Sequence, residues 1–92
     1  MQEAPFKLYG VKMNQQKVNE IIAASAYVNV SGIVPSQSLA YDLYMDSFML
    51  TDMMCSLEDE FMIKIEEEDI SKAEFVQDIY RVLTKKGIDL SD

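Results

Sequence analysis

Apolar residues recur with a helical period in three stretches of this chain, and a long aperiodic stretch separates the first two. Val18, Ile21, Ile22 and the small Ser25 repeat at helical spacing beside Ala23, Ala24 and Ala26, which are good helix formers. Leu50, Met53, Met54, Leu57 and Phe61 fall at i, i+3, i+4, i+7 and i+11, one face of an α-helix. Phe75, Val76, Ile79, Tyr80, Val82 and Leu83 give a third helical face. The chain has 92 residues, enough for one domain with one modest core. Its 49% apolar and 26% charged residues suit a chain that folds.

The boundaries follow from local signals. Asn14 is the expected cap of the first helix, which should end near Tyr27 where β-branched and polar residues begin. Gly32 and Pro35 mark residues 29–45 as one connection, with Ser38, Leu39 and Leu43 forming a turn that tucks into the core. A loop this long in a small domain is often functional, and here it delivers the chain to Ser47. Asp46 suits the N-cap of the second helix, because its carboxylate can take a first-turn N–H and complements the dipole. That helix should run to about Phe61, with Ile63 and Ile65 anchoring the chain behind it. Residues 66–71 read as a short third helix. Ser71 and Glu74 have capping-box spacing for a last helix of about 73–86, with Lys85 and Lys86 at its C-terminal end and Gly87 as its stop.

The expected architecture is therefore all-α: a small four-helix bundle, three main helices plus one short one, with a long loop between helices 1 and 2. Leu50, Met54, Leu57 and Phe61 should be buried against Ile22, Ile65, Val76 and Tyr80. Residues 1–12 read as an irregular N-terminal extension, 13–87 as the domain and 88–92 as a loose C-terminal tail.

The charge is unevenly placed. The chain carries −8 in all, yet residues 42–69 hold ten acids and one base, a net −9. Such a field repels nucleic acid and anionic lipid and attracts basic protein surfaces. On the second helix a further line runs Phe48, Asp52, Cys55, Asp59 and Met62, away from the core face. Apolar residues alternating with acids there read as a docking strip, with Glu58 beside it.

Several chemistries are excluded. The chain has no histidine and one cysteine, so it can build neither an internal disulfide, nor a His/Cys zinc site, nor a His-based triad. An EF-hand fails because Asp42, Tyr44 and Asp46 lack the required glycine after them and Met53 stands at the last ligand position. Ser47 has no basic partner in an activating motif, and Cys55 sits among acids, so no catalytic residue is assigned. The first residues lack a secretory pattern, and no apolar run reaches membrane-spanning length. The simplest expectation is a soluble, cytoplasmic monomer.

The order of helix, long loop, Asp46-Ser47-Phe48, acidic amphipathic helix, short helix and last helix resembles that of the acyl carrier proteins. The stretch Ser38-Leu39-Ala40-Tyr41-Asp42-Leu43-Tyr44-Met45-Asp46-Ser47-Phe48 is similar to the family's loop and Asp-Ser-Leu signature, and Leu57-Glu58-Asp59-Glu60-Phe61 to its helix end. The resemblance covers roughly residues 14–86. It implies that Ser47, with Asp46 beside it, carries 4′-phosphopantetheine as a phosphodiester, and that acyl groups ride on its thiol as thioesters. It also implies a non-catalytic carrier whose partners are a phosphopantetheinyl transferase and acyl-transferring, acyl-activating or condensing enzymes with basic docking surfaces. Fatty-acid, polyketide or related acyl-transfer biosynthesis is the implied setting. The alternative is a carrier-like acidic module that is never modified and binds a basic protein.

The sequence departs from the family pattern in places. Tyr44 stands where the family has glycine, Phe48 replaces leucine, and Met49 occupies a common acid position. Methionines crowd positions 45, 49, 53, 54 and 62. These changes suggest a specialised carrier. Asp46 stands where peptidyl carriers commonly have glycine, which disfavours that branch.

Overall fold

The structure, a computed structural model, describes residues 13–91. The extension expected at 1–12 lies outside the described residues. Among the described residues four α-helices form: α1 (Met13–Ala26), α2 (Ser47–Phe61), the short α3 (Glu67–Ser71) and α4 (Val76–Lys85), with a 3-10 turn at Val30–Gly32. Among the described residues the only β pairing is an isolated antiparallel bridge between Ser38 and Phe75. The all-α bundle expected from the three periodic stretches is the fold observed.

The core is the meeting of three helical faces. Val18 and Ile22 of α1, Met53 and Leu57 of α2, and Val76, Ile79 and Leu83 of α4 are fully buried. Each such side chain contributes about 1.5–3 kcal/mol relative to exposure. The face of α2 is rotated from the expected one. Leu57 is buried as expected, but Met53 joins it, while Leu50, Met54 and Phe61 are only half-buried at the edge of the core. That face is wider than its neighbours cover, so its flank is left lining grooves. Ile65 is buried and Ile63 half-buried, as anchors should be, and Tyr80 is half-buried with its hydroxyl donating to Asn19 Oδ1 at 2.6 Å.

The long loop is ordered because it is stitched to α4. A helix's first N–H groups lack intrahelical partners. Here Val76 N–H donates to the Gln37 carbonyl at 3.0 Å and Gln77 N–H to the Pro35 carbonyl at 2.9 Å. Leu39 N–H returns a bond to the Glu74 carbonyl at 2.9 Å. Ile33, Leu39, Leu43 and Met45 are buried beneath these bonds. Gln37 also braces the loop on itself, donating to the Gly32 carbonyl and accepting from Val34 N–H, each at 2.8 Å.

The start of α4 corrects the sequence expectation. Ser71 does not cap it; Ser71 ends α3, and its hydroxyl donates to the Glu68 carbonyl. The helix begins at Val76, and Asp78 does the capping by accepting the N–H groups of Glu74 and Phe75 at 2.8 and 2.9 Å. Phe75 therefore precedes the helix and is exposed rather than part of its buried face. Nor does Asn14 cap α1; it lies inside the helix and donates to the Asp89 carbonyl at 2.8 Å. That bond, with half-buried Ile88 and Leu90, ties the expected loose tail back to α1 through residue 91.

Three helices end the same way. In each, a residue within two positions of the helix end is left-handed and the next N–H reaches back to the carbonyl five residues earlier, a Schellman ending. Gly87 (φ 94) serves α4, with Ile88 N–H on the Leu83 carbonyl. Tyr27 (φ 60) serves α1, with Val28 N–H on the Ala23 carbonyl. Met62 (φ 55) serves α2, with Ile63 N–H on the Glu58 carbonyl. Only the first uses the residue that adopts this backbone without a steric cost.

Candidate functional site

Ser47 is the first residue of α2, and it is exposed. Asp46 precedes it in extended geometry and accepts Met49 N–H on Oδ1 at 2.9 Å, while its carbonyl accepts Leu50 N–H. Asp46 is thus the N-cap the sequence predicted. With Met49 N–H taken, the N–H groups of Ser47 and Phe48 face out of the positive helix end, where an anion is favoured. Thr51 fixes the first turn from within, donating its hydroxyl to the Ser47 carbonyl at 2.8 Å.

The approach to Ser47 explains the first departure from the family pattern. Tyr44 is held at φ 55, so its backbone adopts the left-handed turn that glycine takes most easily. The buried neighbours Leu43 and Met45 hold the chain on either side, and Met45 N–H is bonded to the Leu39 carbonyl at 2.9 Å. The turn is imposed by this packing, and Tyr44 is left 78% exposed. Met49, the third departure, is half-buried against the core edge, which suits an apolar side chain better than an acid.

Beside Ser47 lies a groove of about 270 Å³ between α2 and α3. Leu50 and Met54 wall it on one side and Ile70 on the other, with Ser47 and Ser71 at its rim. Sequence reasoning missed Ile70, which is buried. The signal was present: Ile70 is the lone apolar residue of the acidic run 66–69 and its successor Ser71.

The expected docking strip is brought together on the surface. Phe48 and Met62 are 83% and 87% exposed, and Asp52, Cys55 and Asp59 lie exposed between them. Met62 has left the helix at its left-handed ending. Glu58 does not belong with them. It is half-buried, and its Oε2 accepts Ile65 N–H at 2.7 Å, so it holds the α2–α3 connection in place. Among the described residues no cluster of acids and cysteine has the arrangement of a metal site.

Away from this site, Asp78 is electrostatically perturbed. Burial opposes its charge, but the N–H groups of Phe75 and Glu74 and the neighbouring Arg81 guanidinium outweigh that and hold its carboxyl below the usual range. It serves the fold.

The residues fit a phosphodiester-linked arm: an exposed primary hydroxyl, a positive helix end behind it and an apolar groove alongside. Comparison with known proteins agrees. The family defined by its phosphopantetheine attachment site matches residues 16–83. An acyl carrier protein of Thermosynechococcus vestitus is 35% identical over 78 residues, 80% of this chain and 96% of that protein. One from Solidesulfovibrio magneticus is 34% identical over 71 residues, 77% of this chain and 91% of that protein. A solved Mycobacterium tuberculosis structure assigned to the acyl carrier proteins superposes with a TM-score of 0.72 at 31% identity, over 77% of this chain and 95% of that one.

Proposed function

The chain belongs to the acyl carrier protein family, a family of non-catalytic carriers with covalent 4′-phosphopantetheine, and on that premise we propose that Ser47 is the attachment residue. The observation that carries the proposal is an exposed serine opening an Asp46-capped helix inside the matched region. When bound, the group supplies a thiol that holds an acyl chain as a thioester. The residues of this chain do the rest. Asp46 fixes the first turn of α2, so the Ser47 hydroxyl is presented in one direction. The outward N–H groups of Ser47 and Phe48 favour the negative charge of a phosphodiester. Leu50, Met54 and Ile70 offer an apolar surface that excludes water beside it.

We take residues 13–87 as the carrier domain, with the returning segment after it as a strap. The cargo is an acyl intermediate of fatty-acid, polyketide or related biosynthesis, and the departures at Tyr44, Phe48 and Met49 favour a specialised carrier. Its partners are a phosphopantetheinyl transferase and acyl-handling enzymes with basic surfaces. They read Phe48, Asp52, Cys55, Asp59 and Met62. Exposed acids contribute only about 0–1 kcal/mol each as ion pairs, so Phe48 and Met62 supply much of the grip and the acids set rate and orientation. No described helix is long and apolar enough to cross a membrane, which is compatible with work in the cytoplasm as a monomer.

Intact mass after incubation with a phosphopantetheinyl transferase and coenzyme A tests the reading. A single addition, mapped to the peptide containing Ser47, is expected. An unchanged mass would favour an unmodified acidic module.

A further inference from the structure

We propose that a second groove, on the loop side of Ser47, takes an aromatic acyl group carried on the arm, a proposal that deepens the reading of Ser47 above and rests on it. The groove holds about 280 Å³ between the long loop and the connection from α3 to α4. Leu39, Ala40 and Tyr41 wall it from the loop, Ala73 and Phe75 from the connection, and Leu50 from α2.

Phe75 is the residue that points to a ligand. It holds the N-cap position of α4, where helix chemistry favours Ser, Thr, Asp or Asn. Asp78 does the capping from inside the helix, by accepting the N–H groups of Glu74 and Phe75. Nor does Phe75 fill the core, since it is exposed. Tyr41, the other aromatic residue of the groove, is 82% exposed. The walls that carry these two residues are pinned together. Leu39 N–H is bonded to the Glu74 carbonyl and Val76 N–H to the Gln37 carbonyl, and Ser38 and Phe75 form the antiparallel bridge. The chain thus keeps two aromatic side chains in water on a fixed frame.

Continuity and chemistry decide the occupant. Leu50 also walls the groove beside Ser47, so the two spaces adjoin over one side chain. A group tethered at Ser47 is held at high local concentration before both. The groove between α2 and α3 offers Leu50, Met54 and Ile70, an adaptable aliphatic surface that suits a linear chain. The loop-side groove instead sets Tyr41 and Phe75 beside Ala40 and Ala73, whose short side chains leave width for a ring. Aromatic rings pair offset or edge to face, a gain that a linear chain does not share. Glu74 carries the formal charge among the lining residues, which disfavours a cargo ending in a carboxylate. A neutral group of the benzoyl type meets all of these conditions.

The test loads ¹³C-labelled protein from benzoyl-coenzyme A or hexanoyl-coenzyme A with a phosphopantetheinyl transferase. The benzoyl ring should move the methyl resonances of Ala40 and Ala73 upfield, while the hexanoyl chain should leave them in place and perturb Ile70. Phe75→Ser supplies a preferred cap residue, so the thermal midpoint should hold while the benzoyl-induced shifts shrink. Hydroxylamine should then cleave the benzoyl thioester about threefold faster than in the wild type, as the loss of one aromatic contact implies. Ala73→Leu, which fills the groove, should abolish the shift at Ala40. Benzoyl-induced shifts confined to Ile70 and Met54, or shifts at Ala40 and Ala73 that survive unchanged in Phe75→Ser, would overturn the proposal. If no coenzyme A derivative adds mass, the Ser47 reading fails separately, and the groove is judged by titrating the unmodified protein with N-acetyl-S-benzoylcysteamine. Shifts at Ala40 and Ala73 that weaken in Phe75→Ser would sustain aromatic binding there, and no shifts would end it.

Discussion

The two main helices that follow the long loop begin in opposite ways. At α4 the start is fully bonded: the loop carbonyls of Gln37 and Pro35 take the N–H groups of Val76 and Gln77, and Asp78 of the helix itself takes those of Glu74 and Phe75. At α2 the cap is minimal, with Asp46 taking Met49 N–H and the first two residues left at the surface. The closed end holds the loop, and the loop holds the open end out. A short bundle can display an exposed hydroxyl rigidly when another part of the loop is fastened.

The largest expected effect breaks the open end alone. Ser47→Ala should abolish the mass gain completely and leave the thermal midpoint unchanged, because the hydroxyl is exposed. An addition that survives this substitution would sink the assignment. Next comes the fastening. Leu39 is buried at 2% exposure where the loop meets Glu74, and Leu39→Ala should destabilise by about 2–5 kcal/mol, as buried leucine truncations do. Denaturant unfolding measures this, and a loss below about 1 kcal/mol would mean the loop is not held by its core.

The two caps themselves sharpen the contrast. Asp46→Ala and Asp78→Ala should each cost within about 0.5–2 kcal/mol, with Asp78 the larger because it accepts two N–H groups and pairs with Arg81. Asp78 also makes a pH prediction. Its carboxyl is held below the ordinary value of 3.8, so its contribution is present above that value and is lost as pH falls through the lower folded value. The wild-type minus Asp78→Asn difference in stability should shrink only below about pH 4, and a difference that instead grew there would reverse the sign of this linkage. The smallest effect belongs to Tyr44→Gly. Relief of the left-handed strain, worth about 1–2 kcal/mol, is largely offset by the greater freedom of glycine in the unfolded chain. Stability should change by less than about 1 kcal/mol, while a drop beyond that would mean the ring packs onto something.

The open end was legible in sequence and the closed end was not. Asp46 and Ser47 advertise themselves by acid, hydroxyl and the apolar period behind them. The cap of α4 was misread because Ser71 and Glu74 have the right spacing, yet Asp78 competes with them and wins by reaching two N–H groups. Glu58 looked like part of the docking strip because helical spacing gives a residue's direction, not its bonds; its carboxylate bends in to Ile65. The rotation of α2 toward Met53 escaped because a face with five apolar residues does not say which of them its neighbours cover. Tyr27 was read only as a helix end, since a left-handed backbone at tyrosine has no sequence signature.

The stitch between Pro35, Gln37 and the start of α4 has a consequence for the life of the chain. A ribosome makes the loop and α2 before it makes Val76 and Gln77. Until those residues emerge, the carbonyls that order the loop have no helix to receive, and Ser47 is carried on an unfastened tether. On the proposed assignment of Ser47, modification would then be fastest on the finished molecule, because the serine reaches its presented form only after the last helix has docked.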